Sequence, residues 1–223
     1  MKRIYTLAAL LFIGVSSLSA QNRTAYYELG FGLGTLNYSG DVGTTISSES
    51  ILNELRPNIA VFGKKHFNSH LAIGLQASYG WIYSEDGNHS HANRGVEFET
   101  SMFQINPFVE VSLIPFGKYQ LEQKFTIFIK AGGGMLGYDP NPKSAVVYPD
   151  DFEIRQNAYG TYNYFGGGGL KFRLNYTTIL TVEAYFHGAG TDDLDGVLHL
   201  DATEQGANDT YGGVMISLSK AFF

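Results

Sequence analysis

The sequence predicts an all-β fold, an eight-stranded antiparallel up-and-down transmembrane β-barrel with short periplasmic turns and longer extracellular loops. Three observations carry that expectation. Long segments alternate apolar and polar residues with period two, no apolar run after the first twenty residues approaches the ~20 that a helical span requires, and the last strand-patterned segment ends in the aromatic pair Phe222 and Phe223.

The alternation can be followed strand by strand. Tyr27, Leu29, Phe31 and Leu33 oppose Glu28, Gly30, Gly32 and Gly34. A weaker segment runs from Arg56 to Phe67, and after a turn at Asn68 the set Leu71, Ile73, Leu75, Ala77, Tyr79 and Trp81 opposes Ala72, Gly74, Gln76, Ser78 and Gly80. Phe103, Ile105, Val109, Val111 and Leu113 then face away from Gln104, Asn106, Glu110 and Ser112, with Pro107 expected to mark a local bulge. Ile127, Ile129 and Ala131 alternate with Thr126, Phe128 and Lys130 until Gly132, Gly133 and Gly134 blur the pattern. Tyr164, Leu170, Phe172 and Leu174 oppose Asn163, Lys171 and Arg173. A tight turn at Asn175 to Thr177 leads to Leu180, Val182, Ala184 and Phe186, a hairpin signature. Val214, Ile216, Leu218 and Phe222 complete the set, and each segment meets the ~9–11 residues that span a bilayer as a tilted strand.

Connections alternate in length. Short turns fall near Asn68, Pro115 to Lys124 and Tyr176, and long loops near 39–55, 84–98, 139–160 and 188–210. Short turns belong on the periplasmic side of such barrels, so an even strand count predicts both termini there, in the outer membrane of a bacterium. A secreted sandwich is the competing fold, but it gives no reason for Tyr38, Tyr79, Trp81, Tyr83, Tyr138 and Tyr164 near strand ends, where an interfacial aromatic girdle is expected.

The ends and the composition agree with export. Met1, Lys2 and Arg3 precede an apolar core from Ile4 to Val15 and a small-residue region to Ala20, which predicts a signal peptide over 1–20 and one mature barrel domain over 21–223. The chain has no cysteine, which excludes a lipid-anchored N-terminus, disulfides and thiolate chemistry. Of 15 basic residues, 13 remain after Lys2 and Arg3, against 21 acidic ones, a balance of −8 that argues against nucleic acid or an anionic membrane surface as a partner. With 27 glycines, 15 tyrosines, 16 phenylalanines and a mean hydropathy of −0.08, the chain averages lipid-facing and lumen positions as barrels do.

Glu28, Glu110, Lys130, Lys171, Arg173 and Glu183 all take the polar phase, so closure gathers three carboxylates and three cations in the lumen. Charges removed from water must be paired, which makes a structural polar network the expectation and a gated conduit its alternative. A lipid A-modifying hydrolase on this fold would need a nucleophile beside a histidine held by a carboxylate. His187 takes the inward phase with Ala189 two residues on, so it is expected to be a hydrogen-bonded lumen residue, and no catalytic centre or cofactor is predicted. His89 and His91, and the run Asp192, Asp193, Asp195 and Gly196, lack zinc or calcium ligand spacing and read as solvated loops, with no metal site. The fourth loop also holds Asp201, Glu204 and Asp209 without a Lys or Arg.

The stretch Tyr27-Glu28-Leu29-Gly30-Phe31-Gly32-Leu33-Gly34, then Asn37-Tyr38-Ser39-Gly40-Asp41-Val42-Gly43, then Arg56-Pro57 and the turn Phe67-Asn68 into Leu71-Ala72-Ile73 resembles the Bacteroidota outer-membrane barrel family that includes PorG. That resemblance implies a non-enzymatic structural or docking role in the type IX protein secretion system, with the periplasmic ring proteins PorK and PorN as partners beside outer-membrane lipid. Docking is then expected on the longest short-side turn, through Lys118, Tyr119, Glu122 and Lys124. A general outer-membrane barrel that binds a surface ligand or passes small solutes is the alternative.

Overall fold

A computed structural model describes residues 25–39, 53–85, 96–144, 152–154, 157–199 and 208–223. Eight strands close into one antiparallel barrel: β1 (Tyr26–Ser39), β2 (Arg56–His66), β3 (Leu71–Glu85), β4 (Val96–Ser112), β5 (Phe125–Ser144), β7 (Tyr159–Arg173), β8 (Thr178–Ala189) and β10 (Thr210–Phe222). Each pairs with its neighbours in chain order and β1 pairs with β10, so the sheet has no edge. Two three-residue strands, β6 (Phe152–Ile154) and β9 (Val197–His199), form a separate ladder between two long connections. The signal segment 1–20, the Gly40-Asp41-Val42-Gly43 motif, His89, His91, Asp201 and Glu204 lie outside the described residues.

The period-two pattern becomes two walls. Leu29, Phe31, Ile73, Leu75, Ile105, Val109, Ile216 and Leu218 are exposed on the outside, while Glu28, Gln76, Gln104, Glu110, Lys171 and Ser217 are buried inside. An apolar surface that encircles the whole sheet far exceeds the few hundred Å² soluble monomers expose, and it is stable against hydrocarbon. The barrel is therefore a transmembrane one. β5 runs 20 residues and β4 17, longer than a span needs, so these strands continue beyond the apolar belt.

The two ends differ. At the turn end, Asn68 Oδ1 accepts the backbone N–H of His70 and Leu71, and Asn175 Oδ1 accepts those of Thr177 and Thr178, so each tight turn is closed by its own side chain. The third connection there, residues 113–124, folds over the barrel mouth. It buries Phe116 with Tyr26, Ile179 and Ala221. At the opposite loop end, the segment after β8 turns inward and seats Leu194 in a core with Leu36, Ile82, Phe98, Met102, Leu136 and Tyr211.

Three local expectations are corrected. The register of β4 against β5 is the same on both sides of Pro107, Ile105 facing Met135 and Phe108 facing Gly132, so no residue is inserted and no bulge forms. The proline forgoes its ladder bond without shifting the strand. Tyr38 and Tyr138 do not join an outer girdle: both are buried inside, whereas Tyr79 and Tyr164 are exposed on the outer wall. Asp193, Asp195 and Asp209 are buried rather than solvated, because the described segment after β8, with Leu194 at its centre, turns into the barrel mouth.

Candidate functional site

The lumen is filled in layers. Nearest the turn-end plug lies a charged layer. Glu28 of β1 pairs with Lys64 of β2 at 3.1 Å, accepts from His66 Nε2 at 2.7 Å and from Ser219 Oγ at 2.7 Å. Lys64 also reaches Glu110 of β4 at 3.0 Å, and Glu110 binds Lys171 of β7 with its other oxygen. One step up the axis, Lys130 of β5 contacts Glu183 of β8 at 2.9 Å and donates to Gln76 Oε1 at 2.9 Å.

Five of the six charges expected in the lumen network thus meet there: Glu28, Glu110, Lys130, Lys171 and Glu183. Arg173 does not. Its guanidinium leaves the carboxylates, donates to the carbonyls of Gly117 at 3.0 Å and Gln123 at 3.3 Å, and stacks 4.3 Å from the Phe116 ring centroid. It fastens the turn-end plug. Lys64 takes its place, which keeps three ammoniums against three carboxylates. Sequence reasoning missed Lys64 and His66 although β2 alternates as Asn58, Ala60, Phe62, Lys64 and His66 on its inner phase.

Three of these ion pairs skip a strand, and at two of the crossings glycine makes room. Lys64 and Glu110 lie on either side of β3, where Gly74 stands level with Lys64. A Cβ on Gly74 would sit 2.5 Å from Phe108 Cζ and 2.7 Å from Lys64 Cβ. Lys130 and Glu183 likewise cross β7 at Gly167 and Gly169, which stand level with Lys130 and Glu183 respectively. Lys171 and Glu110 cross β5, where Thr126 stands level with Lys171.

Above the charges lies a layer of amides and rings. Asn163 Nδ2 donates to Gln104 Oε1 at 2.9 Å and lies 3.2 Å from His187 Nδ1, and Asn58 Nδ2 donates to the Tyr185 hydroxyl at 2.9 Å. The His187 ring is stacked between Phe165 and Tyr211, at centroid distances of 5.0 and 4.7 Å, with Tyr185 edge-on. These contacts hold the imidazole as a packed lumen residue. The layer is closed at the loop end by the Tyr38 hydroxyl on Asp209, the Tyr138 hydroxyl on Asp193, and Thr100 Oγ1 donating to the Leu194 carbonyl at 2.6 Å.

Lys118, Tyr119, Glu122 and Lys124 sit together on the 113–124 turn. Tyr119, Glu122 and Lys124 are exposed and Lys118 is half-buried, its ammonium 5.8 Å from the Tyr119 ring centroid. The turn is pinned by Phe116 N donating to Ser69 O at 2.9 Å and Arg173 N to Lys124 O at 2.7 Å, besides the Arg173 guanidinium. It presents these four side chains on a fixed backbone.

The same barrel architecture is found in solved structures. Neisserial surface protein A, NspA, is 8% identical with a TM-score of 0.55, the match covering 89% of this chain and 97% of NspA. A major outer membrane protein from Thermus thermophilus is 10% identical with a TM-score of 0.50, covering 89% of this chain and 99% of that one. At such identities the likeness is one of fold. No curated protein matches this chain in sequence. A family model does match, over residues 2–211, and the chain belongs to that family, described as Domain of unknown function (DUF6089).

Proposed function

We propose that this chain is a non-enzymatic barrel of the bacterial outer membrane, both termini periplasmic, that serves as a structural or docking component of type IX protein secretion. The observation that carries the reading is the filled lumen: Phe116 and Arg173 close one mouth, Leu194 closes the other, and paired charges occupy the space between. A barrel so filled acts through its surfaces, and its best-defined aqueous surface at the turn end is the pinned 113–124 turn. The resemblance of the Tyr27–Gly34 and Asn37–Gly43 stretches to the PorG-containing family supplies the system and the partners, the periplasmic ring proteins PorK and PorN.

The test is a pull-down of the tagged barrel from mild-detergent extracts, with mass spectrometry of the co-purifying proteins, repeated after residues 115–124 are replaced by a short neutral turn. Co-purification of the ring proteins with the natural turn and their loss with the replacement is the expected result. A barrel recovered alone, under conditions that keep the ring intact, overturns the docking role.

A further inference from the structure

The outer wall carries a second feature that the filled lumen does not use. At its turn end, among the described strand residues, two cations face outward, Lys65 of β2 and Lys220 of β10, and no carboxylate accompanies them. They flank β1. Lys65 stands level with Tyr27 on one side, and Lys220 level with Leu29 on the other. Each ammonium lies over an aromatic ring at the rim, Lys65 5.4 Å from Phe67 and 5.7 Å from Tyr27, Lys220 5.9 Å from Phe222. Aromatic rings and lysines at this height belong to the headgroup level of a bilayer, where an ammonium meets phosphate.

A lane for a chain leads away from that point. Along the outer phase of β2, Lys65 is followed by Gly63, where β2 itself raises no side chain and Leu29 of β1 leans across, its Cδ2 3.0 Å from where a Cβ would stand, and then by Val61 and Ile59. Those two residues line a groove of about 160 Å³ with Phe31, Ala77 and Phe103, which is apolar almost throughout. At about 3.3 Å per residue, the distance from Lys65 to Val61 is roughly 13 Å, the separation of a lipid phosphate from the upper half of its acyl chain.

We propose that this face, from Lys65 and Lys220 over Gly63 to the Phe31–Val61–Phe103 groove, binds a phosphate-headed glycerolipid of the leaflet at the turn end. The two lysines hold the phosphate from either side of β1 and one acyl chain lies over Gly63 into the groove. The assignment rests on the membrane-barrel reading above, and it makes the wall from β10 through β1, β2 and β3 to β4 a lipid-selective face rather than a uniform apolar surface.

The experiment is native mass spectrometry of the detergent-solubilised barrel titrated with dioleoyl-phosphatidylglycerol, with dioleoylglycerol and glycerol 3-phosphate as the chain-only and headgroup-only probes. The intact lipid is expected to bind, and neither part alone at the same concentration. Lys65→Gln or Lys220→Gln should each weaken binding about fivefold, the worth of one basic group at an anionic surface, and the double variant about twenty-five-fold. Gly63→Leu, with both lysines kept, should also weaken it by obstructing the lane. Equal retention of dioleoylglycerol, displacement by glycerol 3-phosphate at lipid-like concentration, or an unchanged double variant each overturns the site. Heat-modifiable gel migration of every variant keeps a folding defect apart from a binding one. A natural chain that fails to fold into vesicles at all would sink the membrane-barrel reading instead.

Discussion

Lys64 on β2 and Glu110 on β4 meet 3.0 Å apart across an intervening strand, and they do so where β3 presents Gly74. Glu110 simultaneously holds Lys171, which reaches it from β7 across β5. One carboxylate thus compensates two buried ammoniums.

Removing that carboxylate strands two ammoniums whose side chains are almost wholly buried. Glu110→Gln is expected to destabilise the barrel by about 3–5 kcal/mol, the range for breaking one member of a buried ionic set. Urea unfolding in lipid vesicles, followed by tryptophan fluorescence of Trp81, measures it. An unchanged midpoint would show that the lumen charges do not depend on one another.

The Lys130–Glu183 pair allows a cleaner separation of cost from contribution. Lys130→Met alone should cost a similar few kcal/mol, whereas Lys130→Met with Glu183→Leu should return most of it, because a buried ion pair replaced by apolar groups of like size is about neutral. A double variant as unstable as the single would mean that Gln76, left with its oxygen facing an apolar site, dominates the energetics.

Glycine positions should divide by what faces them. Gly74→Val is expected to cost about 1–3 kcal/mol by overpacking against Phe108 and Lys64. Gly166→Ala, on the outer wall with nothing within 4 Å of the added carbon, should stay within about 0.5 kcal/mol. The two midpoints measured side by side decide whether close approach, rather than strand propensity, explains the inner glycines.

A lumen filled at both mouths and between them should not pass ions. In planar bilayers the natural chain is expected to give no stepwise conductance, and Phe116→Ala should give none either, since the Leu194 closure and the charged layer remain in series. Steps of reproducible size from the natural chain would favour the small-solute channel.

The fold was legible because parity is a strong signal where one wall is hydrocarbon: β1 and β3 read directly from Leu29 against Glu28 and Leu75 against Gln76. Parity also held information that the expectation of an aromatic girdle overrode. Tyr38 shares the even phase of Glu28, and Tyr138 that of Lys130, so both inward directions were present in the sequence. Lys64 was hidden for a different reason. It adjoins Lys65, and a doublet of like residues erases the contrast between faces on which pattern reading depends. Arg173 shows the limit: its phase points inward, but only the fold of the 113–124 turn decides that carbonyls rather than carboxylates receive it.

The strand-skipping pairs also bear on the shape of the barrel. Backbone ladders join each strand only to its neighbours, a construction that resists stretching around the circumference but flattens readily into an oval. Lys64–Glu110, Lys130–Glu183 and Lys171–Glu110 each tie strands two apart, so three side-chain struts triangulate the ring. A tube braced in this way keeps a round cross-section under lateral pressure from the bilayer, and it transmits a push on one turn to the opposite wall instead of absorbing it.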